Sequence, residues 1–239
     1  MPSMTQRPIA RQRLSRPRLT EAGFGLALTV VAGAINAGGL LLVGQYTSHM
    51  TGTVSALADH LALGAWAAVL AGLAALLPFL AGAATSAMLV NWARRHAHRR
   101  SHALPMRLEA GLMLGFGLLG ALWQDSPLVI VPAVPLLCFL MGLQNATITK
   151  ISGARIRTTH VTGIATDIGI ELGKLIYWNR GADPRFVRAD RGKLRLLAVL
   201  LGGFFVGGVA GALGFGRLGF VCCLPLAGVV LALGEAEIQ

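Results

Sequence analysis

The sequence is poor in charge. Only 13% of its 239 residues are Asp, Glu, Lys or Arg, and just ten are acidic. Average globular chains carry about a quarter charged residues. Two soluble domains, a disordered chain and a disulfide scaffold all fit poorly. Cysteine is scarce as well. Cys138, Cys222 and Cys223 lie inside apolar stretches, with no C-x-x-C motif and no even framework. No G-x-S-x-G, Walker A, H-E-x-x-H or dinucleotide fingerprint is present, so no familiar enzyme chemistry is implied. His49, Asp59 and His60 do not have a metal-ligand spacing, and His96, His98 and His102 sit in an arginine-rich loop where solvation is expected. Neither a metal nor a cofactor is expected.

What is abundant is apolar sequence, 54% of the chain, gathered in long blocks. Six blocks read as spans: Ala22–Val43, Ala65–Trp92, Leu108–Trp123, Leu128–Ile148, Leu196–Phe215 and Leu218–Gly234. Pro78, Pro132, Pro135 and Pro225 fall within them and predict kinks. The first block has 22 residues, enough for a bilayer core of about 30 Å and longer than a signal-peptide core. Ala32-Gly33-Ala34 still offers a small-residue cleavage pattern, which keeps processing open as an alternative. Thr51–Gly64 and Gly163–Trp178 read as two further short helices, interfacial or re-entrant, because counting them as spans would break the charge pattern.

That pattern is one-sided. Of 21 Lys and Arg, five lie in residues 1–21, five between Arg94 and Arg107, and ten between Lys150 and Arg195; Arg217 is the last. With six spans and a cytoplasmic N-terminus, all three basic segments share one side, as the positive-inside rule requires. The expected location is therefore a bacterial inner membrane with both termini cytoplasmic. Residues 1–21 are expected to be a disordered basic tail, and 22–239 a single membrane domain. The charge is accounted for by topology, so no nucleic-acid partner is expected; the basic loops face anionic headgroups instead.

The chain also matches itself. Gly33-x-x-Asn36-Ala37 recurs as Gly142-x-x-Asn145-Ala146, and Gly44 aligns with Gly153. Thr47-Ser48-His49-Met50-Thr51-Gly52 recurs as Thr158-Thr159-His160-Val161-Thr162-Gly163, with two extra residues in the second copy. The repeats run over 22–126 and 127–239. Three spans each is an odd number, so the copies should lie in opposite orientations. The fold class expected is thus an all-α polytopic membrane protein of six transmembrane helices in a 3+3 inverted repeat, plus the two short helices. Inverted repeats of this kind typify secondary transporters, with substrate held at the repeat interface; a duplicated but merely stable bundle is the plainer reading.

These residues carry a resemblance. Gly44–Gly52, Met141–Ala146, Ile156–Gly163 and Thr166–Lys174 are similar to segments of the YoaK, or DUF1275, family of bacterial integral membrane proteins. The resemblance covers nearly all of the chain after the tail. It implies membrane location and fold, and adds little about substrate. The family often has Asn at the position of Thr53 and Asp at that of Asn36; a proton or cation step carried by that Asp would be missing here.

The pathway residues expected are Asn36, Ser48, His49, Thr51, Gly52, Gln144, Asn145, Thr159, His160, Thr162 and Gly163. The amides of Asn36, Gln144 and Asn145 need partners in an apolar setting, either a solute or a neighbouring helix at about 1 kcal/mol per contact. The Ser, Thr and Gly of the two His segments are expected to cap helix N-termini whose free N–H groups face an anion or carbonyl. Asp59 and Asp167 are candidate proton carriers or, more plainly, solvated residues on interfacial helices, and the imidazoles of His49 and His160 would suit proton coupling. The Gly203-x-x-x-Gly207-x-x-x-Gly211 ladder predicts close helix packing, within the bundle or between subunits of a homo-oligomer. A small-solute permease or channel is the leading expectation. A membrane-face enzyme with a histidine base, or a non-catalytic scaffold, are the alternatives; partners are the bilayer and an unknown small solute.

Overall fold

The computed structural model describes residues 18–98, 100–123, 126–179 and 186–238. It is all-helical apart from one two-residue strand pair. In chain order the elements are β1 (Arg18–Leu19), α1 (Glu21–Val43), α2 (Met50–Ala62), α3 (Trp66–Arg95), α4 (Ala103–Leu122), α5 (Pro127–Ile151), α6 (Val161–Ile176), α7 (Arg191–Leu218), α8 (Cys223–Glu235) and β2 (Glu237–Ile238), with a 3-10 turn over Gly219–Cys222. Local chemistry sets the ends. Thr20 caps α1 through a hydrogen bond from Gly23 N, and Gly44 closes it with φ 70°. Ser126 and Pro127 open α5, and Asp190 caps α7.

Five segments among the described residues are long and apolar enough to cross a bilayer: Glu21–Val43, Trp66–Arg95, Ala103–Leu122, Pro127–Ile151 and Arg191–Glu235. Apolar helices of this number fit a multi-pass membrane protein. The last segment is not one rod. Gly219, at φ 54° and ψ −137°, ends α7, and the 3-10 turn leads into α8 of 13 residues. Pro225 falls in the first turn of α8, where the missing N–H costs nothing, so the kink expected there is not needed. Pro78, Pro132 and Pro135 do sit inside their helices. The tail is ordered sooner than expected: β1 pairs in parallel with β2, which joins the two ends of the described chain, while residues 1–17 lie outside the described part.

Packing reveals direction. Leu26, Val30, Ala34 and Gly38 of α1 meet Gly203, Gly207, Gly211 and Phe215 of α7 in the same order, so these helices run parallel. The glycine ladder therefore packs within the bundle. In α3 and α5, Phe79 meets Gly142, Ser86 meets Thr147, and Arg94 reaches the Lys150 carbonyl, again parallel. In α4 and α8, Met106 meets Gly234 while Gly117 meets Cys223, an antiparallel pair. Gly25 near the start of α1 touches Ile148 near the end of α5, and Glu21 pairs with Arg155, so α1 and α5 oppose each other.

The closest crossings are reciprocal. Gly33 of α1 lies against the Phe204 carbonyl of α7, and Gly142 of α5 against the Phe79 carbonyl of α3. One turn away, Gly207 lies against the Val30 carbonyl and Gly82 against the Phe139 carbonyl. A Cβ at any of the four would drive into backbone, which leaves glycine as the residue that fits.

Candidate functional site

The two His segments turn back into the bundle. After α1 ends at Val43, Ser48 returns to Asn36, about 10 Å below that end at 1.5 Å per residue. Asn36 Oδ1 accepts from Ser48 N at 3.1 Å and Ser48 Oγ at 2.8 Å. The second copy does the same. Asn145 Oδ1 accepts from Thr159 N at 3.3 Å and Thr158 Oγ1 at 3.0 Å, and Asn145 Nδ2 donates to Thr159 Oγ1 at 2.8 Å. Each asparagine thus holds the start of a short helix inside the bundle.

From there the short helices run outward. Leu57 of α2 packs on Gly72, near the start of α3, so α2 lies antiparallel to α3. Asp167 of α6 pairs with Lys193 at 3.1 Å, and Glu171 Oε2 accepts from Asp190 N at 2.8 Å, which sets α6 antiparallel to α7. Their first turns differ from expectation. The capping position of α2 is His49 and that of α6 is His160, and neither helix receives a side-chain cap. The hydroxyls of Ser48 and Thr159 are already engaged with the asparagines, so they do not cap. Each imidazole instead folds over the glycine three residues on, Gly52 or Gly163, where a Cβ would collide with the ring.

Both helix starts converge on one cavity of about 600 Å³. It is lined from both copies by Asn36 and Asn145, Ser48 and Thr159, His49 and His160, and Thr51 and Thr162. Phe79 and Phe204, from the middle of α3 and α7, complete the wall. Arg157 is the one Lys or Arg of the lining, which contains no Asp or Glu among the described residues. With two uncapped helix N-termini, the chamber presents hydrogen-bond donors and positive potential.

Some expected residues lie elsewhere. Gly52 and Gly163 support the imidazoles rather than the wall. Gln144 is fully buried, does not line the cavity, and donates to Glu109 Oε1 at 2.9 Å. Asp59 is exposed on α2, and Asp167 is engaged with Lys193; neither reaches the cavity. Sequence reasoning missed Phe79 and Phe204, although Phe79-x-x-Gly82 and Phe204-x-x-Gly207 repeat the same signature in the second long helix of each half.

No metal-ligand cluster of three or more His, Cys, Asp or Glu occurs among the described residues. Residues 24–234 match the model of a family described as "Protein of unknown function (DUF1275)". No curated protein and no solved structure matches the chain.

Proposed function

The chain belongs to the DUF1275 family, and from the geometry of its cavity we propose that it is a membrane permease or channel for a small solute, built as a 3+3 inverted repeat. One observation carries this reading: two corresponding polar segments, each pinned by an asparagine, start half-helices that converge on a single chamber. Half-helices whose N-termini meet between repeats are the usual way a transporter exposes backbone donors to a substrate. The opposed run of α1 and α5 and the reciprocal glycine crossings support the symmetry. In this reading α7 and α8 are the fifth and sixth crossings, with Gly219 at the reversal.

The basic ends of the long helices support an inner-membrane orientation. Arg94, Arg95, Arg100, Arg107, Lys150, Arg191 and Lys193 lie at the end that carries β1 and β2, with Arg217 at the other. By the positive-inside rule, that end is cytoplasmic. The donor-rich, carboxylate-free lining suits a neutral polar or anionic solute better than a cation.

The test is flux into proteoliposomes across a library of small polar and anionic metabolites. Uptake of at least one solute is expected. Thr51→Cys should become blocked by a thiol reagent, against a low background because Cys138, Cys222 and Cys223 are buried. Folded protein that moves no solute would overturn the proposal. An enzyme using a histidine base is less well supported, since no carboxylate is hydrogen-bonded to His49 or His160 among the described residues.

A further inference from the structure

Away from the cavity, α4 and α5 bury a carboxyl group with an amide. Glu109 and Gln144 are both 0% exposed. Gln144 Nε2 donates to Glu109 Oε1 at 2.9 Å. The other two oxygens, Glu109 Oε2 and Gln144 Oε1, are buried and have no hydrogen-bond partner among the described residues. Both are acceptors when the acid is ionised, so neither satisfies the other. A carboxylic acid and a primary amide pair through two hydrogen bonds, and the orphaned atoms are the two that the second bond joins. A hydrogen on Glu109 Oε2 turns that unpartnered acceptor into a donor, the kind of group that Gln144 Oε1 lacks.

Among the described residues no positive charge is paired with Glu109. The elements packed against α4 are α3, α5, α8 and the 3-10 turn. Their titratable groups are Arg94 and Arg95, Cys138 and Lys150, Cys223 and Glu235, and Cys222. Arg94 is bonded to the Lys150 carbonyl, and Glu235 is paired with Arg100 and Arg107. His102, preceding α4, is bonded to the Ala236 carbonyl. None of these groups forms an ion pair or hydrogen bond with Glu109 among the described residues. An unpaired carboxylate in such a setting loses its hydration with nothing to replace it. A metal cation is a worse fit, since hard cations take about six or more oxygens and two are free here.

We propose that Glu109 and Gln144 form a proton-binding site, with Glu109 held as the carboxylic acid in this conformation, and that this proton couples to transport. The coupling clause rests on the permease reading; the proton site does not. The connection to the cavity is short. Gln144 is adjacent in sequence to Asn145, whose side chain pins the α6 segment, so a movement of α5 that exposes Glu109 to water also moves the cavity wall. The acid then gives up its proton to solvent and regains it on return.

Infrared spectroscopy of the intact protein in lipid tests the site directly. The wild type at neutral pH should show the carbonyl stretch of a protonated carboxylic acid, shifted by deuterium exchange under conditions that open the bundle. That band should be lost in Glu109→Gln and should move, without vanishing, in Gln144→Leu. Glu109→Gln retains an amide partner for Gln144 and should fold; if it does not, isotope-labelled glutamate in the wild type reads the same band. A neutral-pH spectrum with no Glu109-dependent acid band, or a band removed by sodium at constant pH, overturns the site. In vesicles, solute uptake should be accompanied by proton movement in the wild type, while Glu109→Gln keeps solute exchange but loses the proton signal. Uptake with no proton movement overturns the coupling. If no variant moves any solute, the permease reading fails, and the infrared result still decides the proton site.

Discussion

The two cavity segments perform the same manoeuvre with different security. In the second half, Asn145 binds both Thr158 and Thr159 and also donates to the Met141 carbonyl. The two extra residues of that loop carry Ile156, 3% exposed, against Gly25 of α1, and Ser152 Oγ accepts from Ile156 N at 3.0 Å. In the first half, among the described residues, Asn36 receives only Ser48, and Thr47, the counterpart of Thr158, is buried with its hydroxyl unpartnered. A duplicated backbone device has thus become a firm anchor on one side and a looser one on the other. Under the proposed permease reading, the side that costs less to release is the side expected to move.

The largest effect should come from the feature the halves share most fully. Gly33→Ala and Gly142→Ala each place a methyl against a carbonyl that cannot swing away, and each should cost about 3 kcal/mol, read as thermal unfolding in detergent. Costs differing by more than about 1 kcal/mol would break the symmetry of the crossings. The asparagines should then separate the halves. Asn145→Ala should cost about 2 kcal/mol and Asn36→Ala about 1 kcal/mol, following the number of hydrogen bonds lost. Equal costs would remove the distinction between anchor and mobile side.

Acidification sharpens the contrast by acting at a different place, the junction of α4 with the β2 end. Burial lowers the proton affinity of His102 below the ordinary histidine value, aided by Arg100 and opposed by the Ala236 carbonyl and Glu235. The folded state therefore favours neutral imidazole. Its stabilising contribution is complete above about pH 6.5 and is lost as pH falls below that, because the unfolded chain then binds the proton more readily. Unfolding midpoints should drop between pH 7.5 and 5.5, and less so in His102→Gln. The smallest effect is the most pointed. Thr158→Val should cost about 1 kcal/mol, whereas Thr47→Val should be neutral or slightly stabilising, since it removes a hydroxyl that bonds nothing.

Much of this was legible before any coordinates. Apolar blocks place the long helices to within a few residues, and the repeated Gly-x-x-Asn and Thr-x-His motifs mark the segments that meet. What the sequence conceals is azimuth. Gln144 and Asn145 are neighbours, yet at about 100° per residue they point to different partners, one to Glu109 and one to the cavity. Nothing in the one-dimensional pattern says which face of α5 meets α4. Glu109 stands at the edge of a block, where a charged residue ordinarily reaches water, so nothing in the sequence sets it apart. Asp59 and Asp167 lie close to the motif in sequence, but the outward run of α2 and α6 carries them away from the cavity. The exchange of capping by Ser and Thr for bonds to asparagine is likewise a tertiary choice, made only when the segment folds back.

The bend at Gly219 bears on biogenesis. In the six-crossing reading proposed above, α7 and α8 form a hairpin whose tip holds a single guanidinium, Arg217, and no acid. Delivering that hairpin through an insertion channel requires one charge to traverse the hydrocarbon, and the arginines left behind at the start of α7 oppose the reverse arrangement. In that reading α7 and α8 enter lipid together, after α1 and α4, earlier helices against which they pack.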